Sequence, residues 1–446
     1  MEKFITKGPL TDYFSARSPI ADLGSVKQRA DVLGLSPEAF WKLLGSANKA
    51  NDIFIELGPF YGKDKKGEAP TFRITAEPLY LPKTYERELQ ILGGDVLSYA
   101  RALARLPQDY RQVLGPDVSF VIPQTWRLDL IFDETERLQV NEVQVNDGAD
   151  GLMVAEQIAY GLRPLSDSTA YYLAEAYKNR FKKADNTTRI AWVRQSEFSS
   201  YTPNARRMSE FINLVSSGTV TTDFIYKSDL PAANWDQYDG VVNTSYTSPT
   251  ELAAVGLDES KLVNPGSYAA LENKGAFALL SDELLRNFWI NQLGSETFER
   301  LQYFFIPTAF VSTDEMIDSA QRQNGVIKAF EADGYMDILD SGKGVFGPWC
   351  DFAQWQQCYM MFDRGVRFIA QPFVTPKQFT AFMRTRGGKN LERMDGLYNR
   401  ICAKFVATGD PHELTTDVLL TAVEATLGKG RKPVGKDCCF TAVAFG

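Results

Sequence analysis

Between Trp126 and Gly151 the chain reads WRLDLIFDETERLQVNEVQVNDGADG, and the polar residues of this stretch have a spacing that could hold a metal ion. Leu128, Leu130 and Phe132 recur at every second position, and Val140 resumes the pattern after a polar turn at Asp133–Arg137. A period of two predicts two short strands joined as a hairpin. On the second strand Glu142, Gln144 and Asn146 share one face, because side chains two apart point the same way. Asp129 on the first strand can lie beside them. Two carboxylates with amide oxygens next to them form a set of hard ligands that suits Mg²⁺ held jointly by protein and nucleotide phosphates. A half-solvated hairpin with an ordinary polar face shows the same alternation, so the stretch does not decide the matter alone.

Other elements must position this hairpin. Residues 1 to about 115 read as mainly helical, with apolar residues at three- and four-residue spacing in Val26–Leu33, Pro37–Leu44 and Tyr85–Leu106. Asn51–Leu57 reads as a short strand or a helix end. From about Val118 strands alternate with helices: SFVIP, the hairpin, a helix at Leu152–Tyr160, a helix at Ser168–Phe181, the strand RIAWVR, a helix from Pro203 and short strands at Asp223–Tyr226 and Gly240–Asn243. That order argues for an α/β unit with a parallel sheet. Beyond Leu262 the pattern predicts one amphipathic helix over Asn273–Leu285 and short strands at Phe304–Pro307 and Gly325–Lys328, followed by Tyr335–Leu339, a glycine-rich turn and a helix from Trp349. It continues with strands at Arg367–Phe373, Ile401–Val406 and Cys439–Phe445, and a helix at Thr416–Thr426. The expected division is 1–117, mainly helical; 118–262, with the metal-site hairpin; and 263–446, for nucleotide binding.

Length and composition bound the function. The chain has 446 residues, enough for a large core and two or three domains. A net charge of −8 argues against general binding of nucleic acid or anionic membranes, so phosphate recognition must come from local groups. No apolar run is long enough for a transmembrane helix, and the first residues do not read as a secretory signal. Five cysteines, without a CxxC pair, fit reduced thiols in a cytoplasmic protein. The single histidine, His412, sits in the turn-like GDPHEL, which leaves little room for a zinc site or a Cys–His hydrolase. Nothing in the sequence fixes an oligomeric state.

Two glycine motifs bear on nucleotides. Gly342-Lys-Gly344-Val-Phe-Gly347 matches GxGxxG, but Pro348 follows where a dinucleotide fold needs a helix. A glycine hairpin closing over phosphates fits better, because glycine backbone approaches an anion closely. Gly430-Arg-Lys-Pro-Val-Gly435-Lys436-Asp437 has Asp in place of the Ser or Thr of a Walker A loop, with a strand after it, and is set aside. Lys328 ends the predicted strand GVIK, from which a lysine can reach a phosphate. Lys274 opens a predicted helix, an unfavourable place for a cation against the helix dipole.

Taken in order, these pieces resemble the ATP-grasp superfamily, and more closely the synthetase domain of glutathionylspermidine synthetases. RLDLIFD resembles that family's Arg-x-Asp strand, VNEVQVND its Glu-x-Asn strand and NKGAFALL its Asn-Lys helix. GVIKAF, a glycine loop and RFIAQPFV resemble its lysine strand, phosphate lid and adenine-side strand. In that family too the metal segment precedes the nucleotide lysines. The resemblance runs from about Arg127 to the C-terminus and implies an α/β, ATP-grasp-like core behind the mainly helical N-terminal region. It implies that Asp129 and Glu142 hold Mg²⁺, with Gln144 or Asn146 as third ligand. Lys274 and Lys328 would contact ATP phosphates under a lid carrying Gly342 and Gly344. Ala370, Gln371 and Phe373 would line the adenine pocket, and Arg127 would stabilise an acyl phosphate or the transferring phosphoryl group. The implied activity is ATP- and Mg²⁺-dependent ligation of a small-molecule or peptide carboxylate to an amine. The sequence departs from the pattern at Gln144, at Ala329 in place of a proline, and in an acidic loop with Glu331, Asp333, Asp337 and Asp340. A non-catalytic binding or scaffold protein on the same fold is the alternative, and a nicotinamide-dependent oxidoreductase using GKGVFG the remote one.

Overall fold

Strands with apolar residues at every second position need a covered face, and among the described residues they assemble into three sheets. The computed structural model describes residues 73–75, 78–145, 150–181, 187–197, 202–331, 344–384, 391–430 and 438–446. The readings for Val26–Leu33, Pro37–Leu44, Asn51–Leu57, Tyr335–Leu339 and most of Gly430–Asp437 lie outside them.

The central sheet has eight strands and draws on distant parts of the chain. Its members are β1 (Arg73–Ile74), β2 (Leu79–Leu81), β3 (Thr125–Phe132), β4 (Leu138–Gln144), β13 (Gln378–Arg384), β14 (Leu391–Ala407), β15 (Val418–Gly428) and β16 (Cys439–Phe445). The main order is β1-β16-β15-β14-β3-β4, with β13 also on β14 and β2 also on β16. Asp133 shapes the β3–β4 hairpin turn: its Oδ1 accepts from Thr135 N at 2.9 Å, Thr135 Oγ1 at 2.7 Å and Arg137 N at 2.9 Å.

Helix α1 (Lys83–Leu103) covers one face of this sheet with Leu89, Leu92, Val96 and Leu103, all buried at helical spacing. The close approach is made at Gly93, where an added Cβ would lie 2.4 Å from the Phe405 ring. Gly93→Ala is therefore expected to destabilise the protein by about 1–3 kcal/mol through overpacking. A midpoint of chemical unfolding no lower than wild type would show that the ring gives way freely.

A second sheet has four parallel strands in the order β6-β5-β7-β8. They are β5 (Thr188–Arg194), β6 (Val220–Tyr226), β7 (Gly240–Asn243) and β8 (Leu262–Asn264). Helices α3 (Asp150–Ala159), α4 (Thr169–Phe181) and α5 (Thr202–Val215) pack between this sheet and the central one around Leu152, Leu173, Met208 and Phe440. Asn264 ties the sheets together: its Oδ1 accepts from Gln124 N at 2.8 Å and its Nδ2 donates to Thr125 O at 3.2 Å.

The third sheet is antiparallel, ordered β11-β10-β12-β9: β9 (Ala309–Phe310), β10 (Val326–Glu331), β11 (Val345–Phe346) and β12 (Arg367–Gln371). Helices α10 (Asp314–Arg322) and α11 (Phe352–Asp363) cover it through Ile317, Trp355 and Cys358.

Three readings are corrected. The helix expected over Thr416–Thr426 is instead strand β15 from Val418 on: Val418, Thr421, Val423 and Thr426 are β-branched, and the strand is buried on both faces between β14 and β16. Asn273–Leu285 is not one helix. It divides into α7 (Lys274–Leu280) and a 3₁₀ turn at Glu283–Leu285, whose N-cap Asp282 accepts from Leu284 N at 2.9 Å. Phe304–Pro307 is not a strand: helix α9 (Ser295–Phe304) ends there, after α8 (Arg286–Leu293). The remaining described helices are α2 (Gln108–Val113) and α6 (Pro249–Ala254). Among the described residues no helix is long and apolar enough to cross a membrane.

Candidate functional site

Alternate residues of β3 place Thr125, Arg127 and Asp129 on one face. Across the ladder Asp129 lies opposite Glu142, and Arg127 opposite Gln144. Directly opposed residues of antiparallel strands share a face, so two carboxylates and an amide stand together. On the other side Cys402 faces Asp129, and Lys404 faces Arg127. Asp129 is fully buried and held by two guanidiniums. Arg127 Nε is 2.7 Å from Oδ1 and Nη2 3.2 Å from Oδ2, while Arg400 Nη1 is 3.3 Å from Oδ2. Arg127 Nη2 also donates to Gln144 Oε1. Burial opposes charge on Arg400, but Asp129 outweighs it and raises its pKa above the ordinary range.

The two expected nucleotide lysines reach this hairpin from other elements. Asn273 caps α7, accepting from Gly275 N at 2.8 Å, and so starts the helix with Lys274. Lys274 Nζ lies 2.9 Å from Glu142 Oε1, an anion that offsets its unfavourable position against the dipole. Burial pushes the Glu142 carboxyl up, yet Lys274, Lys328 and Arg400 outweigh burial and hold it at about 2. Burial likewise works against the Lys274 ammonium, but Glu142 keeps its pKa above the usual lysine value. Lys328 lies inside β10 rather than at a strand end, and donates to Asn141 Oδ1 at 2.8 Å and Asn141 O at 3.0 Å.

Asn146 and Gly342 lie outside the described residues, as does most of the acidic loop. The Gly344 carbonyl accepts from Ala329 N at 2.8 Å, next to Lys328. Val345–Phe346 pairs antiparallel with β10, which is not the strand–turn–helix of a dinucleotide fold. Ala370 lies opposite Ile327. Gln371 is buried and donates to Thr308 Oγ1 at 2.9 Å, and Phe373 packs edge-on to Trp349 with ring centroids 6.0 Å apart.

Two buried cations were not singled out in the sequence. Lys404 pairs with Asp150 Oδ1 at 2.8 Å, at the start of α3. A lysine inside the apolar run RICAKFVA was the signal for it. Arg194 ends β5 at the carboxyl edge of the parallel sheet, where open α/β sheets bind ligands. Its Nη1 donates to Thr244 Oγ1 at 2.8 Å, its Nε has no partner, and burial lowers its pKa to about 10 despite Tyr226 and Asp150. A small, mostly enclosed cleft lies over this edge, lined by Thr125, Asp150, Tyr177, Arg194, Thr244 and Asn264 among others. Thr125 brings the cleft to β3, two residues from Arg127 and four from Asp129.

No protein-family model matches the chain. No curated protein matches it either. Among solved structures it is similar to a glutathione synthetase-like effector from Globodera pallida in apo form, with a TM-score of 0.55 and 11% identity over 96% of this chain and 100% of that one. It also aligns with a gamma-glutamylcysteine synthetase-like protein from Methylobacillus flagellatus at a TM-score of 0.39 and 9% identity, over 78% of this chain and 85% of that one. An alignment with a D-alanyl-alanine synthetase A from Vibrio cholerae, at a TM-score of 0.27 and 12% identity, covers 53% of this chain and 88% of that one. The first likeness establishes the fold: α/β and ATP-grasp-like.

Proposed function

We propose that this chain ligates a carboxylate to an amine at the expense of ATP, through an acyl phosphate. The observation that carries the reading is the convergence of Arg127, Lys274, Lys328 and Arg400 on a hairpin whose own face offers Asp129, Glu142 and Gln144. Among the described residues no three His, Cys, Asp or Glu side chains form a metal cage. Two carboxylates and an amide oxygen nevertheless suit Mg²⁺, which commonly takes only one or two protein carboxylates and completes its shell with phosphates and water. Asp129 and Glu142 would hold it, with Gln144 or Asn146 beside them. When bound, the metal neutralises phosphate charge.

The chain's own residues supply the rest. Lys274 and Lys328 draw the phosphates over β4, and Ala370, Gln371 and Phe373 seat the adenine. Arg194, buried and without a carboxylate partner among the described residues, receives an anionic group of the carboxylate substrate in the cleft beside Thr125. A substrate carboxylate oxygen attacks the γ-phosphorus, the bond to ADP breaks, and Arg127 stabilises the charge on the transferring group. The amine nitrogen then attacks the acyl carbon, phosphate leaves, and the nitrogen gives up its proton. The resemblance to glutathionylspermidine synthetases suggests a peptide or amino-acid carboxylate and a cationic amine, and a cytoplasmic setting.

Titration with Mg²⁺ and a non-hydrolysable ATP analogue tests the nucleotide site. Lys328→Met is expected to weaken that binding by about 1–3 kcal/mol, the usual size of a lost charge-assisted contact. Unchanged affinity would remove Lys328 from the site. A second reading rests on a specific feature: Arg127 with Asp129, and Lys274 with Glu142, already satisfy one another without a ligand. A non-catalytic binding protein needs no more than that. Nucleotide binding without release of ADP and phosphate, across a panel of carboxylates and amines, would favour it.

A further inference from the structure

Thr125 belongs to two places: it shares the site face of β3 with Arg127, and it lines the cleft at the carboxyl edge of the parallel sheet. β5 reaches the same cleft from the other side. Its alternation puts Trp192 and Arg194 on one face, and both line the cleft while only 5% and 3% exposed. Each brings a buried N–H that finds no acceptor: Nε1 of the Trp192 indole and Nε of the Arg194 guanidinium. A buried donor left unpaired is costly, and a buried cation without an anion more so. Arg194 Nη1 meets only the neutral Thr244 Oγ1, which itself donates to Val193 O at 2.9 Å. The carboxylate among the cleft residues, Asp150, lies 2.8 Å from Lys404 Nζ. Leu173 from α4, Ala205 from α5 and Val242 from β7 wall the rest with carbon.

We propose that Trp192 and Arg194 hold a second carboxylate of the acid that is activated at Arg127, so that the carboxylate substrate carries two carboxylates. The first carboxylate rests on the ligase reading, and the second on the two orphaned donors. A carboxylate suits this pair, because its two oxygens can take one N–H from a charged group and one from a neutral group. The cleft is small and largely carbon-walled, so the anion enters it as the end of a chain. Two residues of strand separate Thr125 from Arg127, roughly 7 Å. The spacer between the carboxylates must cover that distance, as the chain of adipate does and that of succinate does not. An acid with one carboxylate leaves both N–H groups unpaired. A site built around hydrogen bonds rejects an analogue that cannot make them, and this is how the cleft selects.

Calorimetric titration of the full chain with adipate, succinate and hexanoate tests the proposal, with and without Mg²⁺ and a non-hydrolysable ATP analogue. Adipate is expected to bind at least about tenfold tighter than hexanoate, which matches its length but has a single carboxylate. Arg194→Gln should abolish that difference, and Arg194→Lys should keep part of it. Trp192→Phe removes the N–H but keeps an aromatic ring against Phe224, and should reduce the difference severalfold. Removing Arg194 strands no carboxylate named here, so Arg194→Gln is expected to fold with a urea midpoint close to that of the wild type. If it does not fold, the wild-type preference for adipate over hexanoate and succinate decides alone. Equal binding of adipate and hexanoate, or a preference that persists in a folded Arg194→Gln protein, overturns the subsite. Nucleotide binding without the adipate preference strikes the subsite alone. An adipate preference without nucleotide binding strikes the ligase reading and, with it, the assignment of this acid as the substrate.

Discussion

Asp129→Asn is expected to destabilise the protein by about 3–5 kcal/mol, the usual loss when one partner of a buried ion pair is removed. The carboxylate is fully buried between Arg127 and Arg400. Asparagine keeps its shape but not its charge, and turns one acceptor oxygen into a donor facing a guanidinium. Arg127 then loses its two-pronged grip, while its Nη2 still donates to Gln144 Oε1. Buried Arg127 and half-buried Arg400 are left without their shared counter-charge. Urea unfolding of the wild type, Asp129→Asn, Arg400→Met and the double variant measures this. Arg400→Met should recover part of the loss in the asparagine background, because it removes one stranded cation. The same substitution should abolish thermal stabilisation by Mg²⁺ with an ATP analogue. A cost below about 1 kcal/mol, the size typical of exposed pairs, would mean that the charge at Asp129 is screened by solvent.

The hairpin was legible because its information is local. A polar turn led by Asp133 joins two period-two strands, and the opposition of Asp129 and Glu142 follows from that turn together with a bulge beside Asp129. Strand RIAWVR and its neighbours were legible for the same reason, since strand and helix alternate with little ambiguity there. Thr416–Thr426 was misread because an apolar run buried on both faces has no period to distinguish strand from helix. Lys404 and Arg194 went unnoticed for a different reason. Their significance lies in where they are buried, and each meets its setting through residues far away in the chain: Asp150 for one, Thr244 for the other. A strand end reads the same whether its last side chain enters a cleft or solvent. Arg400 illustrates this most clearly, since its pairing with Asp129 exists only once β14 has joined β3.

The pair of Glu142 and Lys274 sets the second large effect. Between about pH 5 and pH 2, protonation of Glu142, whose carboxyl is held low against burial by Lys274 first and by Lys328 and Arg400 after it, is expected to remove on the order of 3 kcal/mol of stability, from a displacement of its pKa from 4.5 to about 2. The folded value lies below the unfolded one, so the contribution is complete above the ordinary glutamate range and drains away as pH falls through about 2. Lys274 is shifted upward, so its share is complete below the ordinary lysine pKa and is lost only as pH rises through the folded value. The pair is therefore intact across the neutral range. Lys274→Met alone strands Glu142 beside fewer cations and should be costly at neutral pH. Glu142→Gln with Lys274→Met removes both charges while keeping the shape of one and the stem of the other. That double variant should lie within about 1–2 kcal/mol of wild type near pH 7, because replacing both members of a buried pair spares the penalty of an unpaired charge. Its stability should also fall less steeply in acid. Urea midpoints at about pH 3 and pH 6 for the wild type, both single variants and the double variant make the comparison. An acid slope in the double variant as steep as in the wild type would place the titrating carboxylate elsewhere, and the cation assigned to the nucleotide phosphates would lose its anchor at Glu142.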